Sequence, residues 1–417
     1  MTLHEGPAPA LHLLRGRVVT PDGVLDDGVL VLVGPAIAWV GPADEVPPAW
    51  RDAVPAPSDE TILPGLVDIH CHGGGGASFP DATTPEEVRR AADEHLRHGT
   101  TSLVASLVTA DAETLCARAA LLADEVDAGH LVGIHAEGPF LSFARRGAQS
   151  PEHLVPGDPH LVRRLAAAAR GHLVTMTVAP ELPGVVGPPD DVLAALVAAG
   201  AVPSPGHSDA SFEQFEAGLT RAAHLLRTDP HARSGRPTAT HLFNGMRPLH
   251  HRDPGPVAAS LDAASRGEAV VELVADGTHL ADGTVRTVFD LVGPDAIALV
   301  TDAMAATGMA DGDYRLGPMA VQVAGGVARI VTPGADGVPV AGAIAGGTAH
   351  LLDVVRHVVA AGVPLVDAVL AAGRTPAGVL GRTDIGVLAA GARADVLITD
   401  DDLRPRRVLR GGVLVVG

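Results

Sequence analysis

The chain has 417 residues, enough for two or three domains or for one large barrel with an appendage. An apolar fraction of 47 % with 19 % charged residues excludes a disordered tail, and an aromatic content of 2 % argues against a stacking platform for single-stranded nucleic acid. The net charge of -19 repels a phosphate backbone, so no nucleic-acid partner is expected. In chain order, residues 11–19, 28–33 and 36–40 alternate like short strands, punctuated by Pro-Asp-Gly and Gly-Pro turns. Residues 394–399 and 407–416 read the same way. Neither end holds enough strands to close a core alone, so 1–62 and 383–417 are expected to form one small β-sandwich together.

Between them, residues 63–382 alternate short apolar strands with amphipathic helices, the rhythm of a parallel sheet. Strands are expected at 66–70, 101–108, 131–135, 173–178, 201–205, 238–242, 270–275 and 297–301, and helices at 85–98, 111–127, 190–199 and 212–224. Eight strands are what a closed barrel needs. The expected fold is therefore α/β, a (β/α)8 TIM-like barrel. Two segments break the rhythm: the polar stretch 140–160, and 311–340, which reads as an inserted hairpin turning at Gly325-Gly326.

All 30 basic residues are arginine, which excludes any Schiff-base, P-loop or carbamylated lysine. Cys71 and Cys116 are the only cysteines, too few for a disulfide framework. No segment reads as a membrane span, and residues 1–10 lack a basic stretch followed by a long apolar one, so a cytoplasmic location is expected.

The strongest local signal is Asp68-Ile-His70-Cys-His72 followed by four glycines. On a strand, residues two apart share a side, so both imidazoles face one point. An isolated His-x-His is equally a pair of solvated histidines, but the glycines permit close approach of backbone to a ligand. Further polar residues recur where later strands should end: Glu137, His207, His241 and Asp302. Alone, a histidine at a strand end is more often a hydrogen-bonded surface or core residue, and the lesser alternative for Asp302 is a helix cap; together they converge on the C-terminal mouth of a barrel. Imidazoles with a carboxylate suit Zn²⁺ or a similar divalent ion, which activates water for attack on a carbonyl, and Asp302 is the candidate proton carrier.

From Pro64-Gly-Leu-Val-Asp-Ile-His70 through Gly391-Ala-Arg-Ala-Asp395, the chain resembles the amidohydrolase superfamily. His135-Ala-Glu-Gly-Pro-Phe140 and His241-Leu-Phe-Asn-Gly-Met246 narrow the resemblance to its N-acetylglucosamine-6-phosphate deacetylase family. The resemblance implies that Glu137, His207 and His241 hold the main metal, that His70 and His72 equip a second site, and that Asp302 is general base and acid. One or two divalent ions per subunit, zinc first, are implied. It further implies that Asn244, the Gly245 amide, Arg252 and His279 contact the substrate phosphate. Arg252 would reach in from a neighbouring subunit, hence a homodimer; taken alone, it is equally a loop charge paired with Asp253.

One position departs from the family. Where a histidine usually hydrogen-bonds the acetamide carbonyl, this chain has Gln149 in Arg146-Gly-Ala-Gln149; His153 substitutes if the loop is shifted. Glutamine donates a hydrogen bond but cannot become cationic. The expected activity is deacetylation of N-acetylglucosamine 6-phosphate. The alternatives are a related sugar such as N-acetylgalactosamine 6-phosphate, or a catalytically weak phosphosugar-binding barrel.

Overall fold

The computed structural model describes residues 10–187, 189–333 and 339–417. The reading of residues 1–10 therefore falls almost wholly outside the described residues, as does part of the 311–340 insertion. At the N-terminal end, β1 (Leu11–Thr20), β2 (Gly23–Val33) and β3 (Ala36–Pro42) form an antiparallel meander, and β4 (Thr61–Pro64) pairs parallel with β1. β4 was not anticipated, and it carries the end sheet two residues past the expected boundary at 62. All four of its residues are buried.

The barrel begins one residue later with β5 (Leu66–Cys71), followed by a glycine hairpin of β6 (Gly73–Gly74) and β7 (Ala77–Ser78). The remaining barrel strands are β8 (Thr100–Leu107), β9 (Gly133–Glu137), β10 (Leu173–Val178), β11 (Val202–Pro205), β12 (Thr238–Ala239), β13 (Val270–Leu273) and β14 (Ile297–Leu299). All eight expected strands are present, all pairing parallel. Two hydrogen-bonded runs, β11-β10-β9-β8-β5 and β12-β13-β14, make up the wall. They are joined on one side by Thr240 N–H to Pro205 O (3.0 Å). On the other, Asp302 N–H donates to His70 O (2.9 Å) and His72 N–H to Ala303 O (2.7 Å).

Helices α1 (Pro85–Arg97), α2 (Ala112–Asp127), α3 (Pro159–Ala168), α4 (Val192–Ala198) and α5 (Phe212–Thr228) follow successive strands. Their starts are written locally. Thr84 and Glu87 make a capping box with Pro85 in the first turn, Ser211 and Gln214 make another, and Asp111, Asp158 and Asp191 cap α2, α3 and α4. The outer layer is completed by α6 (Gly255–Ser265) and α7 (Asp282–Val292), then α8 (Leu351–Ala360), α9 (Leu365–Ala371) and α10 (Arg374–Val379).

The insertion is larger than one hairpin. Four antiparallel strands, β15 (Gly312–Leu316), β16 (Met319–Ala324), β17 (Val327–Pro333) and β18 (Pro339–Ile344), form a separate sheet, with Gly325-Gly326 turning β16 into β17. The chain then returns to the first sheet with β19 (Val396–Thr399), β20 (Pro405–Arg410) and β21 (Val413–Val416), in the order β21-β20-β19-β4-β1-β2-β3. β19 pairs directly with β4, so both chain ends meet in one sheet. Among the described residues no helix is long and apolar enough to cross a membrane.

Candidate active site

Most of the barrel strands deliver a polar side chain to their C-terminal ends. From β5 come His70 and His72, from the end of β9 Glu137, and from the turns after β11, β12 and β14 come His207, His241 and Asp302. Glu137 is the hub. Its Oε1 lies 2.7 Å from His207 Nε2 and 2.9 Å from His241 Nε2, and its Oε2 lies 3.2 Å from His72 Nε2. Asp302 Oδ1 is 3.2 Å from His72 Nε2 and 3.5 Å from His70 Nε2. Two overlapping ligand sets result, Glu137-His207-His241 and His70-His72-Glu137, each with its donor atoms within 4.8 Å of one another and all buried.

The backbone is bent to achieve this. His207, His241 and Asp302 all adopt positive φ (45°, 23° and 47°), a region that costs non-glycine residues energy and is tolerated where the surroundings over-determine it. Gly245, at φ 59°, lies so close to His207 that a Cβ there would meet its Nδ1 at 2.6 Å.

Outer partners decide which ring nitrogen faces the centre. His207 Nδ1 donates to Arg145 O (2.7 Å), His72 Nδ1 to Ser106 O (3.2 Å) and His70 Nδ1 to Glu272 Oε2 (3.0 Å). Carbonyl and carboxylate oxygens only accept, so the Nδ1 protons are committed and the Nε2 lone pairs point inward. His70 Nε2 and His72 Nε2 then face each other at 3.2 Å, an arrangement that needs positive charge between them. The carboxylates make the same demand. Burial disfavours a charged His72, yet hydrogen bonds and charge from Asp302 and Glu137 raise it to about 10. Burial likewise pushes the Asp302 carboxyl up, but His70 and His72 outweigh it and hold it at about 2. A divalent ion bound by imidazole and carboxylate meets this demand, so the residues present fit the metal that the sequence leads one to expect.

The cluster opens into a cavity of about 240 Å³, the scale of one small metabolite. His72, Glu137, His207, His241 and Asp302 line it. Asn244, Gly245 and His279 line it as well, and the insertion closes it with Leu316 and residues 343–346. Burial opposes charge on His279, but Asp276, 2.9 Å from its Nδ1, raises it. Gln149 is buried in the same wall: its Oε1 accepts from Thr109 N–H (2.8 Å) and its Nε2 donates to Glu137 Oε2 (2.5 Å). His153 lines a separate cleft beside Asp111 and does not stand in for it. Arg252 lies outside this cavity, exposed, with its Nη1 2.9 Å from His251 Nε2. Asp253 pairs instead with Arg247 at 3.2 Å.

Three supporting residues have no role in the sequence reading, although Asp68 and His135 stand within its motifs. Glu272 also accepts from His241 N–H (3.2 Å), coupling both ligand sets. Asp68 accepts from Thr301 Oγ1 (2.6 Å), and burial raises its carboxyl to about 6. His135 stacks edge-on against His70, sits between Ser106 Oγ and Thr177 Oγ1 at 2.9 Å each, and is kept neutral by burial. A carboxylate inside an otherwise apolar strand, as in Val270-Val-Glu272-Leu, was the available signal.

A family model described as "Amidohydrolase family" matches residues 61–415. An N-acetylglucosamine-6-phosphate deacetylase of Lysinibacillus sphaericus is 31 % identical over 364 residues, covering 85 % of each chain. An N-acetylgalactosamine-6-phosphate deacetylase of Escherichia coli O157:H7 is 31 % identical over 97 % of this chain and 99 % of its own. Among solved structures, a mutant N-acetyl-D-glucosamine-6-phosphate deacetylase from Mycobacterium smegmatis, in complex with N-acetyl-D-glucosamine-6-phosphate, superposes with a TM-score of 0.86 at 40 % identity. That match covers 98 % of this chain and 100 % of the other. With its strand-end histidines and carboxylates and its closed parallel barrel, this chain belongs to the amidohydrolase family.

Proposed function

We propose that the chain hydrolyses the acetamide of N-acetylglucosamine 6-phosphate, releasing acetate and glucosamine 6-phosphate. The observation that carries this reading is the position of Asp302, in the lining of a small cavity and within 3.2 to 3.5 Å of His72 and His70, with Glu137 of the Glu137-His207-His241 set also 3.2 Å from His72. An ion of the zinc class, which Glu137, His207, His241, His70 and His72 would hold, would supply Lewis acidity and a water nucleophile at neutral pH. The chain's own residues do the rest. Asp302 takes the proton from the attacking water and returns it to the amine as the C–N bond breaks. Gln149 Nε2 carries a second hydrogen, which is available on the cavity side to bond the carbonyl oxygen.

In the same cavity, Asn244, the Gly245 amide and His279 are the proposed phosphate contacts. The Asp276–His279 pair favours a cationic imidazole there, suited to an anionic ester. Arg252, exposed and outside its own cavity, is proposed to serve the cavity of a second copy in a homodimer. The decisive experiment is acetate release from N-acetylglucosamine 6-phosphate by zinc-loaded protein, against an Asp302→Asn control. Tight phosphosugar binding with no acetate would favour a sensor. The similarity to the Escherichia coli O157:H7 protein over 97 % of this chain supports a second reading, the galactosamine epimer. Relative kcat/KM on the two epimers separates them.

A further inference from the structure

Outside the active-site cavity, three side chains of metal-ligating type meet on the barrel's outer layer. Glu94 lies in the last turns of α1, His98 is the residue that ends that helix, and His350 immediately precedes α8. His350 Nε2 is 2.9 Å from Glu94 Oε1, and His98 Nδ1 is 3.4 Å from the same oxygen. The three donor atoms lie within 4.8 Å of one another. Glu94 and His98 are four residues apart and so share a helix face, the spacing at which a helix offers two ligands to one ion.

The surroundings favour a ligand role. Asp353 Oδ2 lies 3.3 Å from His350 Nδ1 and Glu94 Oε1 lies 2.9 Å from its Nε2, so a carboxylate faces each ring nitrogen and a bound cation would take the place of the proton between Nε2 and Glu94. Glu94 is packed between the loops that follow His72 and Asp302. A Cβ at Gly308 would meet its Oε1 at 2.1 Å, and one at Gly75 would meet its Cβ at 3.3 Å. The guanidinium of Arg97 stands off from Glu94 at 3.9 Å and leaves the carboxylate open to another cation. The rings of His98 and His350 stack with centroids 3.5 Å apart and 16° between planes. In-plane coordination by both asks the His98 ring to turn. That ring is 35 % exposed and tethered through Nδ1 to Glu94 O, a bond the ion would replace.

We propose that Glu94, His98 and His350 bind a borderline divalent cation of the zinc, nickel and cobalt class at a non-catalytic site. Two imidazoles and one carboxylate match that class, with water completing the coordination. Because α1 follows the first barrel strand and α8 follows the last, the ion ties together the two sides of the seam at which the barrel closes. Binding to the native state alone raises its stability by mass action.

The test is calorimetric titration of Ni²⁺ into full-length protein already loaded with zinc at the active site, for the native chain and for His98→Ala and His350→Ala. The expected result is one additional equivalent in the native chain, with a rise in Tm on nickel addition. Both variants should lose that equivalent and the Tm shift while acetate release stays within about twofold of the native rate. No additional equivalent in the native chain, or its retention in either variant, overturns the proposal. Should His350→Ala fold poorly, the exposed ring of His98 keeps the comparison valid.

Discussion

The carboxamide of Gln149 is locked against the carboxylate of Glu137. Thr109 N–H can only donate, so it fixes the amide oxygen, and Nε2 is left to meet Glu137 Oε2 at 2.5 Å. The side chain therefore holds the hub carboxylate and presents one remaining donor to the cavity. Gln149→Ala removes both roles, and a loss of about 100-fold in kcat is expected, the order seen for one oxyanion donor. Gln149→His supplies a donor that can carry charge and should raise kcat. Steady-state acetate release by both variants checks this; an unchanged kcat in both would remove position 149 from the reaction.

Asp302→Asn keeps shape and hydrogen bonding but cannot carry a proton. Acetate release should fall by about 10² to 10⁴-fold, the usual contribution of a positioned acid–base. Because burial disfavours the native carboxylate and His70 and His72 hold it ionised, the variant also leaves those imidazoles with less negative charge nearby. Zinc content measured beside activity separates a lost proton carrier from lost metal: the former leaves zinc bound.

Much of this was legible because barrel strands advertise themselves. Runs such as Leu173–Val178 are apolar, short and bounded, and Asp, Ser or Thr stands before each of the first five helices that follow them. The cluster of histidines and carboxylates was legible because each member stands at or just beyond the C-terminal end of a strand. Support from inside the wall was harder to see. Thr177, Ser204, Thr238 and Thr240 form a buried hydroxyl chain with 2.6 to 2.9 Å links. In sequence they are ordinary β-formers, and only closure of the sheet makes them neighbours. β4 was missed because four residues ending at the Pro of a Pro-Gly carry no period, and of their two neighbours β19 lies more than 330 residues away.

Glu272 touches no substrate, yet it orients His70 and accepts from the backbone of His241. In Glu272→Gln, the amide can turn its NH₂ toward His70 Nδ1 and favour the wrong tautomer. Loss of such an outer partner typically costs about 10- to 100-fold in metal affinity. The expected outcome is weaker zinc binding at the His70-His72 site, read by competition with a chromophoric chelator, with the Glu137-His207-His241 site affected less. Equal affinity in variant and native chain would leave Glu272 with a packing role only.

His95 links the glycine hairpin to α1, with its Nε2 2.9 Å from Gly73 O, and burial lowers it from 6.5 to about 4. Since the folded value lies below the unfolded one, the unfolded chain takes up the proton first. The stability held above pH 6.5 is then lost as the pH falls toward 4. A shift of this size corresponds to about 3 kcal/mol across that window. His95→Gln retains a donor for Gly73 O but cannot titrate, so its stability should fall less steeply between about pH 7 and 4. Urea unfolding at a series of pH values measures the difference. If the two curves stay parallel through the whole window, the acid sensitivity of the fold resides in other buried groups, with His135 the next to replace.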